Sequence, residues 1–179
     1  MMTGFLLGAG LLAFFSFRSE KSALTAAKIS QMTADWERAK AYTKEYIDAS
    51  TEASIAFKPK PEMRTFREQM LHLSEANYGL VSAASGKKGA FGFGLMEKTA
   101  MAQTKAELTK AVMDSYDFVI GTIKEMDDTK LNGMAKIFDM DMSCEVALSK
   151  ASEHQTHHRG QTTVYLRLSG ITPPQEKLF

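Results

Sequence analysis

Apolar residues recur along most of this chain at steps of three and four. From Ala26 to about Ser50 the positions Ile29, Met32, Trp36, Ala39, Tyr42 and Tyr46 keep that spacing, which predicts an amphipathic first helix. Phe57-Lys58-Pro59-Lys60-Pro61 cannot continue it, because proline lacks an amide proton and restricts the residue before it. Thr65 followed by Glu68 reads as a capping box, so a second helix is predicted from there to about Ala84, with Met63, Phe66, Met70, Leu73, Asn77 and Leu80 on one stripe. Ser85 to Gly94, SGKKGAFGFG, must interrupt regular structure and predicts a long, mobile link. Its glycines match neither a phosphate loop nor a dinucleotide fingerprint. Between Met101 and Met126, Leu108, Val112, Tyr116, Val119 and Ile123 restore the helical period for a third helix, which is expected to stop in Asp127-Asp128-Thr129-Lys130. A fourth helix is expected from a cap at Asp141 or Ser143 to about Leu168, ended by Gly170 and Pro173-Pro174. No sustained period-two alternation is present, and the pattern as a whole predicts an all-α four-helix bundle.

Composition narrows the function classes. The 179 residues suit one domain with a sizeable core, and 44% hydrophobic against 24% charged residues is a globular balance. Twenty-two Lys and Arg against twenty-one Asp and Glu leave a formal charge of +1, so no basic excess draws the chain to nucleic acid. Cys144 is the only cysteine, which excludes an intrachain disulfide and a Cys-based metal site within one chain. Residues 1–27 form a hydrophobic leader whose uncharged run from Gly4 to Phe17 has the length of a signal-peptide core and is too short for a stable membrane span. No Lys or Arg precedes it, and the cleavage candidates near Thr25-Ala26-Ala27 are loose. A periplasmic location follows if the leader is a signal peptide. A cytoplasmic one follows otherwise, including the case in which translation starts at Met32. Residues 28–179 are assigned to the bundle domain.

The chemistry points to histidine. His72 falls on the second helix near the edge of its apolar stripe, and His154, His157 and His158 fall on the fourth. His154 and His158 are four apart, so their rings leave one helix face on successive turns and can share an ion. That face continues through Ala147, Ala151, Gln161, Tyr165 and Leu168, which turns the pair toward a core. Buried imidazoles need a partner or an ion. His157, three residues from His154, is a rival ligand that spacing does not exclude, and exposed pairs at this spacing also occur without any metal.

At this point the sequence resembles a family. The stretch from His154 to Pro174, HQTHHRGQTTVYLRLSGITPP, looks like the C-terminal signature of the DinB/YfiT-like family, and Arg64 to Leu73, RTFREQMLHL, resembles the segment that carries that family's helix-two histidine. The likeness spans about Ile29 to Pro174. It implies a four-helix bundle with a long crossover between helices two and three. It also implies a divalent metal on His72, His154 and His158, with His157 outside the ligand set. Family members with assigned reactions are similar to metal-dependent S-transferases that use low-molecular-weight thiols, or to a maleylpyruvate isomerase. The family's link to DNA damage concerns induction. A homodimer is a common outcome for such bundles.

Three neutral imidazoles leave a coordination position open, the arrangement of a catalytic site. Zinc fits this donor set first, with nickel, iron, copper and manganese also compatible. An ion there lowers the pKa of a water or a thiol and polarises a substrate oxygen. The expected chemistry is therefore transfer of a small thiol to a small electrophile. Metal-dependent hydrolysis, or a non-catalytic metal- or ligand-binding bundle, is the alternative. Gln161 is the candidate to orient an imidazole, and Glu68 and Glu75 are candidates for acid or base, against the plainer expectation of solvated charges. Arg159 and Arg167 are expected at the surface or paired with carboxylates, and Cys144 is expected as a small packing residue near the start of helix four.

Overall fold

A computed structural model describes residues 7–98 and 102–178, with side chains described from residue 20 onward. The elements, in chain order, are α1 (Leu7–Ala49), α2 (Glu52–Ile55), α3 (Phe66–Ser85), α4 (Lys105–Lys124), α5 (Asp128–Asn132), β1 (Met134–Ile137), β2 (Met140–Ser143) and α6 (Cys144–Leu168). The four long helices make an all-α bundle. In it α3 packs on α4 and α6, and α1 packs on the same two, so α1 and α3 stand across the bundle from each other. The chain between α3 and α4, residues 86–104, is the long crossover.

Local chemistry explains the boundaries. Thr65 and Glu68 make the reciprocal capping box that the sequence predicts, with Thr65 Oγ1 accepting from the Glu68 amide and Glu68 Oε2 accepting from the Thr65 amide. Thr104 and Glu107 repeat the device, so α4 begins at Lys105 rather than at Met101, which lies outside the described residues. Ser143 caps α6. At its other end the Gly170 amide donates to Arg167 O and the Ile171 amide to Leu166 O. Gly170 sits at φ 74°, which makes this a Schellman stop.

Three features differ from the sequence expectation. Helix α1 is continuous from Leu7, since nothing between the leader and Ala26 breaks a helix, and Lys21 and Thr25 already bond Asp128 of α5. No helix among the described residues is long and apolar enough to cross a membrane; the first six residues of the leader lie outside them. Asp127 does not simply end the third helix. It caps the short α5, after which β1 and β2 pair antiparallel with Ile137 opposite Met140. Four-residue strands are too short for a period-two pattern to register in the sequence.

The core is made by the predicted stripes, with Trp36, Phe66, Met70, Leu73, Leu108, Val112, Tyr116 and Ile123 all buried. Helix α3 is buried on more than its predicted stripe, because the crossover covers a further face: Phe93 lies against Gly79, where an added Cβ would come within 2.5 Å of its ring. A polar chain crosses the core. Thr43 on α1 donates to Tyr116 Oη at 2.7 Å, and Tyr116 donates to Gln155 Oε1 of α6 at 2.9 Å. Burial pushes the Tyr116 hydroxyl up to about 12, so it remains a donor across the ordinary pH range. Tyr116→Phe leaves two buried polar partners short of a bond, and urea unfolding should show a loss of about 1–2 kcal/mol with an unchanged m-value.

Candidate metal centre

Helices α3 and α6 bring His72, His154 and His158 together. One ring nitrogen from each lies within 4.8 Å of the other two, and the ring centroids are 4.3–5.2 Å apart. His158 is buried, His72 and His154 are half-buried, and His157 points out to solvent. The exposed His157 pairs instead with Gln161, whose Nε2 is 2.8 Å from its Nε2. Gln161 therefore does not orient His158, as the sequence had led us to expect: at four residues' spacing its side chain meets His157.

Gln69 takes that part. Its Nε2 faces Tyr165 Oη at 3.4 Å, and its Oε1 accepts from His158 Nδ1 at 2.8 Å. A proton on Nδ1 leaves Nε2 of His158 as a free lone pair. On His72, Nδ1 meets Glu97 Oε1 in a short contact, and a carboxylate there places the proton on Nδ1 and the lone pair on Nε2. Arg64 holds the other carboxylate oxygen, with Nε at 2.6 Å from Glu97 Oε2. Burial acts to raise the Glu97 carboxyl, but the hydrogen bond from Arg64 and the neighbouring His72 outweigh it and hold the group below the usual carboxylate range. His154 has no such support: its Nδ1 is buried without a hydrogen-bond partner.

Glu97 comes from the crossover, which is tied to α3 rather than loose. Glu75 is buried and spends both oxygens on backbone, Oε2 on the Gly94 amide at 3.0 Å and Oε1 on the Glu97 amide at 2.9 Å. Glu68 is committed to the Thr65 cap, whose backbone hydrogen bond lowers its carboxyl. Neither candidate acid or base is therefore idle, and the carboxylate that meets a histidine is Glu97. Nothing in its glycine-rich surroundings marked it in the sequence. Beside the histidines opens a cavity of about 760 Å³ lined by Arg64, Glu68, Gln69, Glu97, His158 and Gln161.

One further sequence expectation is overturned and one holds: Arg159 is buried rather than superficial, and Cys144 is the packing residue expected. Cys144 is buried at the start of α6, ten residues before His154 and so roughly 15 Å away along the helix, and burial pushes its thiol up. It is a packing residue with no part in the site.

Burial lowers His154 to about 4 and His158 to about 3, aided by the mutual repulsion of the cluster. Unfolded histidines titrate near 6.5, so between about pH 3 and 6.5 the unfolded chain binds more protons than the folded one. The metal-free protein should hold its full stability above pH 6.5 and lose it progressively as pH falls toward 4. Urea midpoints across pH 4–8 check this: the double substitution of His154 and His158 by Gln should flatten the slope.

Comparison with known proteins completes the site's context. None of the curated proteins compared with the chain matches it. Among solved structures it is similar to a DinB-like protein from Bacillus cereus ATCC 10987, 20% identical over 82% of this chain and 95% of that one, with a TM-score of 0.70. It is also similar to a DinB-like protein from Bacillus subtilis, YjoA, 16% identical over 83% of this chain and 96% of that one, with a TM-score of 0.64. At these identities the likeness establishes the fold. The DinB family model matches residues 21–178, nearly the whole chain, and on that match the protein belongs to the DinB family.

Proposed function

We propose that His72, His154 and His158 hold one divalent metal ion, and that the protein is a metal-dependent transferase that joins a small thiol to a small electrophile. The observation that carries this reading is the cluster itself: three imidazole nitrogens within 4.8 Å of one another, with His158 at the wall of a cavity. The donor chemistry fits an ion. Two rings have their outer nitrogen committed to an acceptor, which turns an unprotonated nitrogen inward, and the third has a buried nitrogen with no protein partner. Depressed basicity keeps His154 and His158 neutral at physiological pH, the protonation state that metal ligation requires. Zinc is the first choice for three imidazoles, and nickel, iron and manganese suit them as well.

A divalent ion in that position supplies Lewis acidity and lowers the pKa of a thiol or water that reaches it. The chain's own groups do the rest. Gln69 and the Glu97–Arg64 pair fix two imidazole orientations, so the ligand geometry is set before substrate arrives. Arg64 presents a guanidinium at the cavity wall, where it favours an anionic nucleophile or an acidic substrate group.

Thiol transfer is preferred over hydrolysis because Glu68, Glu75 and Glu97 are each engaged, respectively with a cap, with backbone amides and with the His72–Arg64 pair. A thiol of pKa near 8.5 ionises without a positioned base once its pKa is lowered, whereas water attack gains from one.

The test is turnover of a model alkyl halide by metal-loaded protein, with cysteine as the probe thiol. Consumption of thiol that saturates with its concentration, and that falls at least 100-fold in His158→Ala, is the expected result. Halide release at the same rate without thiol establishes the hydrolytic reading instead. Metal binding with no turnover in either arm makes the bundle a binding module. Glu97→Gln should weaken metal affinity roughly 10–100-fold without unfolding the chain.

A further inference from the structure

Arg159 is the only Lys or Arg buried among the described residues, at 8% exposure, and the metal centre does not use it. It follows His158 on α6 but faces elsewhere. At ~100° per residue, Thr156, Gly160, Thr163 and Arg167 form a stripe roughly opposite His154 and His158. That stripe borders a second cavity of about 850 Å³, closed by Tyr42 and Tyr46 of α1 and by the chain after α6. The closing segment is fastened at its end, where Arg38 donates to Leu178 O and Lys177 pairs with Glu45.

Every partner of the buried guanidinium is neutral. Nη1 donates to Gln155 Oε1 at 2.9 Å and makes a longer contact with Thr43 Oγ1 at 3.5 Å, and the Tyr42 ring centroid lies 4.6 Å from Cζ. Among the described residues no carboxylate pairs with Arg159, and its Nε and Nη2 have no hydrogen-bond partner. Glu176 lines the same cavity without reaching it. A guanidinium edge that faces a cavity without a protein partner is available to an anion, and its fork matches a carboxylate in particular. Around the charge, the wall offers the Tyr42 ring, Ile171, Pro173 and Pro174, surfaces suited to an apolar body.

We propose that this cavity is a binding site for a small organic carboxylate, with the acid group on the free edge of the Arg159 guanidinium and the apolar part against Tyr42 and Pro173-Pro174. The site is separate from the metal centre and stands independently of the transferase reading.

Hexanoate is the probe, titrated into the full chain at constant ionic strength while backbone amide shifts are followed by NMR, with hexanamide as the neutral control. Saturable shifts centred on Thr156, Gly160 and Thr163, at least tenfold tighter for hexanoate than for hexanamide, are expected. Arg159→Gln should weaken hexanoate binding tenfold or more. Because Arg159 is buried and its replacement can disturb folding, Gly160→Leu is the second variant. A Cβ at Gly160 meets nothing within 4 Å and leucine suits a helix interior better than glycine, so this variant folds and fills the cavity mouth. It should abolish binding. Failure to saturate, equal binding of hexanamide, shifts centred on His72 and His158, or hexanoate affinity unchanged in folded Gly160→Leu each overturns the proposal.

Discussion

Three imidazole rings packed between two helices leave six ring nitrogens to satisfy, and most of what is distinctive in this protein answers that demand. Burial, aided by repulsion from neighbouring cations, disfavours protonation of His154 and His158 and drives both well below the ordinary histidine range. Each ring N–H then needs an acceptor. Gln69 provides it for His158, and Glu97 for His72. The nitrogens that remain converge within 4.8 Å, and the buried Nδ1 of His154 has no partner among protein atoms. Polar atoms withdrawn from water in this way are costly to leave unpaired. The divalent ion proposed for this cluster would be such a partner.

The long crossover acquires its meaning from the same demand. A connection between α3 and α4 could have been a solvated loop, yet Glu75 gives up both carboxylate oxygens to its backbone, and Met96 is fully buried. Those contacts bring Glu97 over His72, where Arg64 steadies it. The absence of a side chain at Gly79 lets Phe93 lie directly on α3, so the loop seats closely enough for this to happen. Fold and site are linked at that point: loosening the crossover would remove an orienting group from His72.

The helical period and the Thr65 cap were legible in the sequence because each is a local pattern with one structural meaning, whereas spacing left the α6 cap open between Asp141 and Ser143 and left His157 as a rival to His158. The short hairpin and α5 were not, since elements of four or five residues leave no periodic trace. Glu97 stands 25 residues from His72 in a stretch whose composition says only that the chain bends. Gln69, three residues before His72, has its role decided by a neighbour on another helix. Arg159 was expected at the surface because it is charged; its burial depends on Tyr42, Thr43 and Gln155, none of which points to it locally. Sequence pattern reports what a residue does to its own helix, and these residues act between helices.

Helix α6 therefore presents two faces of different chemistry, a histidine face toward α3 and an arginine face toward α1. The proposed metal on the histidine face is tested most directly by the metal content of the full chain purified without a histidine tag, compared with the His72, His154 and His158 triple alanine variant and with His157→Ala. About one tightly held divalent ion per chain in the wild type and in His157→Ala, and none in the triple variant, is the predicted result; a folded triple variant that retains the metal would contradict the account.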